Sequence, residues 1–136
     1  MLDSNVLIDV IESDAVWADW SLEQIARGAE RSELAYNQIV IAEVGPRFGS
    51  VEGFRAFNRN LGIDFVALDE PASMQAGKAF IAYRKNRGPS AARIPLPDFF
   101  IGGHAQATGA AILTRDPRFY RSYFPQVELI TPETQP

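Results

Sequence analysis

Apolar residues along the chain fall in short blocks whose spacing alternates between helical and extended periods. Met1-Leu2 is a brief apolar start, and Val6, Leu7, Val10 and Ile11 then lie mostly on one side of a helix that Ser4 or Asn5 can cap. Asp14 can cap a second helix, over about residues 15–29, marked by Trp17, Trp20, Leu22, Ile25 and Ala29. Residues 33–36 read as a strand. The run Ile39 to Val44 suits either strand or helix by composition, but Asn37 offers a cap and so favours a helix, which Gly45-Pro46 should end or kink. Val51, Phe54, Phe57 and Leu61 mark a short amphipathic helix, and residues 63–68 a further strand. Asp69-Glu70-Pro71 is a helix start, with the proline in the first turn, and the helix continues through Met74, Ala76, Phe80 and Ile81 to about Asn86. Residues 87–97, rich in Gly, Pro, Ser and Arg, read as the one long loop. Asp98 then caps a helix with a crowded, small-residue face at Gly102, Gly103, Ala105 and Ala107. Residues 110–113 form a buried-type strand, 118–123 a helical turn and 127–130 a last strand. The order β-α-α-β-α-α-β-α-α-β-α-β predicts a three-layer α/β/α sandwich around a mainly parallel sheet, with one domain spanning residues 1–136.

Composition narrows the chemistry. A chain of 136 residues with 46% hydrophobic residues can bury roughly two-thirds of its unfolded surface and needs no covalent staple. With no Cys and a single His, thiolate zinc sites, cysteine nucleophiles and two-His centres within one chain are excluded, so any metal must be held mainly by oxygen. No apolar run approaches the roughly 20 residues that span a bilayer, and the start MLDSNV lacks the basic and apolar regions of a signal peptide. A cytoplasmic protein without a membrane partner is the expectation. The net charge of -4 argues against coating nucleic acid by bulk charge. If four of the 17 acids sit together on metal, however, the remaining acids balance the 13 bases and leave room for local binding to an anionic polymer.

Asp3 and Asp116 follow apolar strand residues, and Asp98 begins a helix; ligands of open parallel sheets bind beyond the carboxyl ends of the strands. Each of these has a purely structural reading as well: Asp98 and Asp3 as helix caps, Asp116 as a turn residue before Pro117. Glu43 interrupts an apolar run, with Ile39 and Val40 on its i−4 and i−3 side, where a buried charge would need a partner. Four hard-oxygen ligands in a chain without Cys suit Mg²⁺ or Mn²⁺ and phosphoryl chemistry. Asp9 and Glu12 on the first helix are expected to be solvated, Asp69 to be a cap, and His104 to be structural. Arg84, Lys85, Arg87 and Arg93, with Arg115, Arg118 and Arg121, flank the acids, and Arg93, Arg115 and Arg118 are the candidates for phosphate-backbone contacts. Phe48, Phe54, Phe57, Trp17 and Trp20 read as core or as a face shared with a partner chain.

LDSNV around Asp3, VIAEV around Glu43, PDFFIGGHA from Asp98 and ILTRDPRFY around Asp116, followed by the tail YFPQVELITP, resemble the PIN-domain nucleases, and among them the VapC-like toxins of bacterial toxin–antitoxin pairs. The resemblance covers nearly the whole chain, in order. It implies a metal-dependent endoribonuclease in which Asp3, Glu43, Asp98 and Asp116 form the catalytic, Mg²⁺- or Mn²⁺-binding set. Asn5 and Thr114 would orient those acids or bind metal-bound water. It further implies products with a 5′-phosphate, a cognate antitoxin that blocks the site, and a homodimer. Arg118 stands where many relatives carry a further acid, which weakens the expectation of a second metal. Two alternatives remain at this level: a catalytically silent module of the same fold that binds RNA or a protein, and a phosphatase using Asp3 as aspartyl nucleophile, although such enzymes want a second Asp where this chain has Asn5.

Overall fold

The computed structural model describes residues 1–88 and 96–136. Its elements are helices α1 (Ser4–Ile11) and α2 (Ala18–Glu30), strand β1 (Ala35–Tyr36), helix α3 (Gln38–Val44) with a 3₁₀ turn (Gly45–Phe48), helix α4 (Val51–Asn60), strand β2 (Asp64–Phe65), helices α5 (Glu70–Asn86) and α6 (Leu96–Thr108), strand β3 (Ile112–Leu113), helix α7 (Arg118–Tyr123) and strand β4 (Leu129–Ile130). β1 pairs in parallel with β2, and β3 in parallel with β4. The extended segment at residues 1–3 joins the two pairs: Leu2 N donates to Ala35 O at 2.9 Å, while Leu113 N donates to Met1 O at 2.9 Å and Asp3 N to Leu113 O at 3.0 Å. The spatial order is thus β2, β1, residues 1–3, β3, β4, and the chain changes its direction of travel across the sheet beside the first segment. That switch is where an open parallel sheet leaves a crevice.

Successive residues of a strand face opposite sides, and here they feed two separate cores. Leu2 and Leu113 pack with Val6, Leu7, Ile25, Val40 and Phe54 beneath α1 to α4, whereas Met1 and Ile112 pack with Ala76, Tyr83, Phe99, Tyr120 and Phe124 beneath α5 to α7. This is the three-layer α/β/α arrangement. Phe99 anchors the second core: its ring centroid lies 5.2 Å from that of Phe80, 4.9 Å from Phe119 and 5.4 Å from Tyr123. Among the described residues no helix is long and apolar enough to cross a membrane.

Several helix starts follow the local signals. Asn37 accepts from Ile39 N at 3.0 Å and Asp69 from Ala72 N at 3.0 Å, each through its side chain. Pro46 does not kink α3 but converts its end into the 3₁₀ turn. Four expectations are corrected. Neither Ser4 nor Asn5 caps α1; Asp3 holds the capping backbone position, and the two side chains bond elsewhere. Asp14 accepts from Val16 N and Trp17 N, building a turn that delays α2 to Ala18. Asp98 is not a cap, because α6 already begins at Leu96, and its carboxylate is left free for other work. Of the expected loop at 87–97, Leu96 and Pro97 are helical; its middle, including Arg93, lies outside the described residues.

The small-residue face of α6 has a specific use. A Cβ on Gly103 would come within 2.5 Å of Ala76 N and 2.7 Å of Ala76 Cα, and one on Gly102 within 2.2 Å of the Phe124 ring. α5 and α6 therefore meet with backbone against backbone at Gly103. Gly103→Ala should destabilise the fold by about 1–3 kcal/mol or more, since a helix rather than a flexible side chain must yield. Urea denaturation checks this: a lower midpoint with an unchanged slope is expected.

Candidate active site

Asp3, at the end of the central segment, has the backbone of β1 and β3 on either side and the rings of the second core behind it. Its side chain is only 8% exposed. Oδ2 accepts from Thr114 Oγ1 at 2.8 Å and from Asn5 Nδ2 at 3.0 Å, and Asn5 Nδ2 also reaches Thr114 Oγ1 at 3.1 Å. Thr114 Oγ1 in turn accepts from Asp116 N at 3.1 Å, so one hydroxyl ties Asp3 to the turn that carries Asp116. These contacts close across more than a hundred residues of sequence because residues 1–3 and β3 are neighbours in the sheet. Glu43, one turn and a half along α3, accepts a short hydrogen bond from Ser4 Oγ. Asp98, half-buried, comes from the first turn of α6, whose depth is fixed by the fully buried Phe99 beside it.

These groups line one cavity of about 310 Å³ bounded by Asp3, Ser4, Asn5, Ile8, Glu43, Asp98, Asp116, Phe119 and Tyr120. Asp3 and Asp98 form its deeper part; Glu43 and Asp116 stand exposed at its rim. Glu43 therefore does not suffer the burial among apolar neighbours that its sequence context suggests, because the helix turns it to the open side. Burial raises the Asp3 carboxyl to about 6, with Asp98 and Glu43 adding to the rise and the Thr114 and Tyr120 hydroxyls opposing it. Asp98 is raised by burial and then by the charges of Glu43 and Asp116. Asp116 is lowered, chiefly by Arg118, whose Nε and Nη2 both lie 3.0 Å from its carboxylate. The cavity thus has two carboxyls that resist ionisation and two at the rim.

All four predicted acids, with Asn5 beside them, bound this cavity, and Thr114 bonds Asp3 from behind. Among the described residues no three His, Asp or Glu side chains are arranged to hold a metal ion directly. Two features of the cavity suit a cation: carboxyls pushed towards protonation, and a buried Tyr120 hydroxyl without a hydrogen bond of ordinary geometry.

Of the candidate phosphate contacts, Arg118 is 86% exposed and clasps Asp116, and Arg115 is 34% exposed with Nε 2.9 Å from Asp9 Oδ1. Asp9 corrects the expectation of a solvated residue: it is buried, and it accepts from Ser21 Oγ at 2.9 Å as well as from Arg115. Burial raises its carboxyl, against the hydrogen bond from Ser21 and the charge of Arg115. Glu12 is exposed, as expected, 3.2 Å from Arg47. His104 is structural: buried, with Nδ1 3.0 Å from Asn37 Nδ2, and burial lowers its pKa. Because Asn37 Oδ1 accepts from Ile39 N, its Nδ2 is the donor and His104 Nδ1 the acceptor. Trp20 packs on the first core and donates from Nε1 to Gln135 O at 2.6 Å, so the C-terminal tail covers part of it. Ser4 and Tyr120 were missed by sequence reasoning. Each lies inside a motif already singled out, Ser4 in LDSNV and Tyr120 at the end of ILTRDPRFY, but no local signal turns either side chain towards the acids.

Residues 1–125 match the family model described as PIN domain. The chain belongs to the PIN domain family. As a PIN domain it is similar in fold to a chain in the crystal structure of VapBC2 from Rickettsia felis bound to a DNA fragment from their promoter, with a TM-score of 0.72, 19% identity and 96% of each chain covered. It is similar also to a chain of DNA-bound VapBC from Salmonella typhimurium (TM-score 0.64, 17% identity, 96% of each chain). FitAcB from Neisseria gonorrhoeae contains another similar chain (TM-score 0.59, 19% identity, covering 97% of this chain and 96% of that one). No curated protein matches this PIN domain in sequence.

A buried acid whose folded pKa lies above its unfolded value opposes folding once pH exceeds the folded pKa, and that penalty disappears below the unfolded one. Asp3→Asn should therefore stabilise the metal-free protein at pH 8 by on the order of 2–3 kcal/mol, with the advantage fading as pH falls through about 6 towards 4. Parallel urea titrations of both proteins from pH 8 to pH 4 measure it. Arg115→Ala strands the Asp9 carboxylate and should cost about 2–3 kcal/mol, whereas Arg118→Ala should leave the urea midpoint essentially unchanged.

Proposed function

We propose that the chain is a metal-dependent endoribonuclease and the toxin of a toxin–antitoxin pair. The observation that carries this reading is the convergence of Asp3, Glu43, Asp98 and Asp116, from four distant parts of the sequence, on one cavity at the switch point of the sheet. Membership of the PIN domain family supports it, as does similarity in fold to a chain of the toxin-antitoxin complex from Klebsiella pneumoniae (TM-score 0.63, 19% identity, covering 96% of this chain and 95% of that one).

Mg²⁺ or Mn²⁺ would be held by Asp3 and Asp98 in the deeper part, with Glu43 and Asp116 at the rim as direct or water-mediated ligands. When bound, such an ion lowers the pKa of a coordinated water and neutralises the charge that develops on phosphate oxygens. The chain's own groups do the rest. Thr114 and Asn5 hold Asp3 Oδ2 from behind, and Ser4 holds Glu43 against α1, where it can orient a water by hydrogen bond. Hydrolysis would leave a 5′-phosphate. Arg118, paired with Asp116 at the rim, keeps its guanidinium largely exposed, where it would contact a phosphate of the RNA backbone.

The partner in this reading is a cognate antitoxin that combines apolar anchors with a basic side chain directed at the acids. A second copy of the chain is part of the same proposal; Met74 and Ile81, exposed on α5, offer more open apolar surface than Trp17 and Trp20.

The deciding experiment incubates the purified chain with a mixed RNA pool under Mg²⁺, Mn²⁺ or EDTA. Cleavage is expected with either metal and none with EDTA; Asp3→Asn and Asp98→Asn should each lower the rate by at least about a hundredfold while staying folded. Metal-independent cleavage, or an active Asp98→Asn, would overturn the assignment. Co-expression with the neighbouring open reading frame should yield a stable complex that is inactive until the partner is removed.

A further inference from the structure

Tyr120 has a hydroxyl that its surroundings do not explain. Its ring sits in the second core, with its centroid 5.1 Å from that of Phe119, and a phenylalanine would fill the same apolar space. The side chain is 2% exposed, and its oxygen is buried without a hydrogen bond of ordinary geometry. A buried hydroxyl left unpaired is costly, and native structures hold few of them. Its position is informative: Tyr120 lines the acidic cavity beside Asp3, and Asp98 and Glu43 are near enough to bear on it electrostatically. Those neighbours are all acceptors, so the phenol can serve there only as a donor. Meanwhile Thr114 and Asn5 both engage a single oxygen of Asp3, Oδ2.

We propose that Tyr120 is a positioning residue of the metal centre, whose hydroxyl donates to the Asp3 carboxylate when a divalent cation draws that carboxylate forward, fixing which oxygen faces the ion. The proposal rests on the metal-centre reading above and adds a residue to it. Three donors from three elements, α1, the end of β3 and α7, then surround one carboxylate. Outer donors of this kind orient a ligand, and losing one commonly weakens metal affinity 10- to 100-fold. The hydroxyl already acts on Asp3 without reaching ordinary hydrogen-bond geometry, which fits a contact that tightens when the site is loaded. Burial among carboxylates keeps the phenol protonated, and hence a donor, across the physiological range.

The test uses Tyr120→Phe, which removes one oxygen and retains the ring. Mn²⁺ alone is titrated into the full chain, free of RNA and partner, and the free-ion signal is followed by electron paramagnetic resonance; thermal melts in EDTA report the fold. The expected result is Mn²⁺ binding weakened at least tenfold, with an unchanged or raised metal-free melting temperature because an unpaired buried hydroxyl is gone. Equal Mn²⁺ affinity in the two proteins overturns the role of Tyr120 and leaves the metal centre standing. A lowered metal-free melting temperature accompanying the loss of affinity also overturns it, since that marks a packing role. A wild-type chain that binds no Mn²⁺ refutes the metal centre itself, and the role of Tyr120 with it.

Discussion

The carboxylate of Asp3 is held where the sheet and the second core exclude most water and where neighbouring acids repel its charge, yet hydrogen bonds from Thr114 and Asn5 favour its ionised form, and the rest of the site is arranged around that conflict. The central position of residues 1–3 fixes the carboxylate beyond the strand end. Thr114 and Asn5 offset part of the lost hydration, but burial still prevails and keeps the group near 6. Adding Asp98 and Glu43 to the same cavity makes ionisation harder still. Such an arrangement opposes folding, and it persists because apolar packing on both faces of the sheet outweighs it.

That packing also sets the geometry. Asp98 reaches the cavity because Phe99, its neighbour on α6, is locked in a cluster of rings contributed by α5 and α7, and because Gly103 lets α6 approach α5 closely. Asp116 is placed by the hydroxyl of Thr114 and by the turn that follows β3. The same turn is tied to α1 by Arg115 and the buried Asp9. A buried ion pair of this kind adds little net stability, but it allows few other positions for the loop. Arg115 and Arg118 are therefore partly engaged by acids of their own chain, and of the two Arg118 has by far the more exposed guanidinium for an external phosphate.

How far the sequence could be read depended on whether a signal was local. The alternation of helical and extended blocks, the caps at Asn37 and Asp69 and the turn at Gly45-Pro46 each depend on a few consecutive residues, and each was legible. Asp98 was misplaced as a cap because the start of α6 at Leu96 is two residues earlier than the aspartate signal. Asp9 looks solvated from the sequence for a related reason. Its partners Ser21 and Arg115 lie on another helix and on a distant loop, and no periodicity announces them.

By itself, then, the sequence determined the order of elements, the parallel three-layer architecture and the four acids that share one cavity, because hydrophobic period and short motifs are properties of the chain as written. Only the tertiary structure decided which carboxylates are deep and which stand at the rim, that Ser4 holds Glu43, that His104 is bonded to Asn37, and that a tyrosine hydroxyl is buried beside Asp3. The physical reason is that burial and charge shifts arise from surfaces brought together across the sheet. The contact between Asp3 and Thr114, 111 residues apart, exists only once the strands have paired.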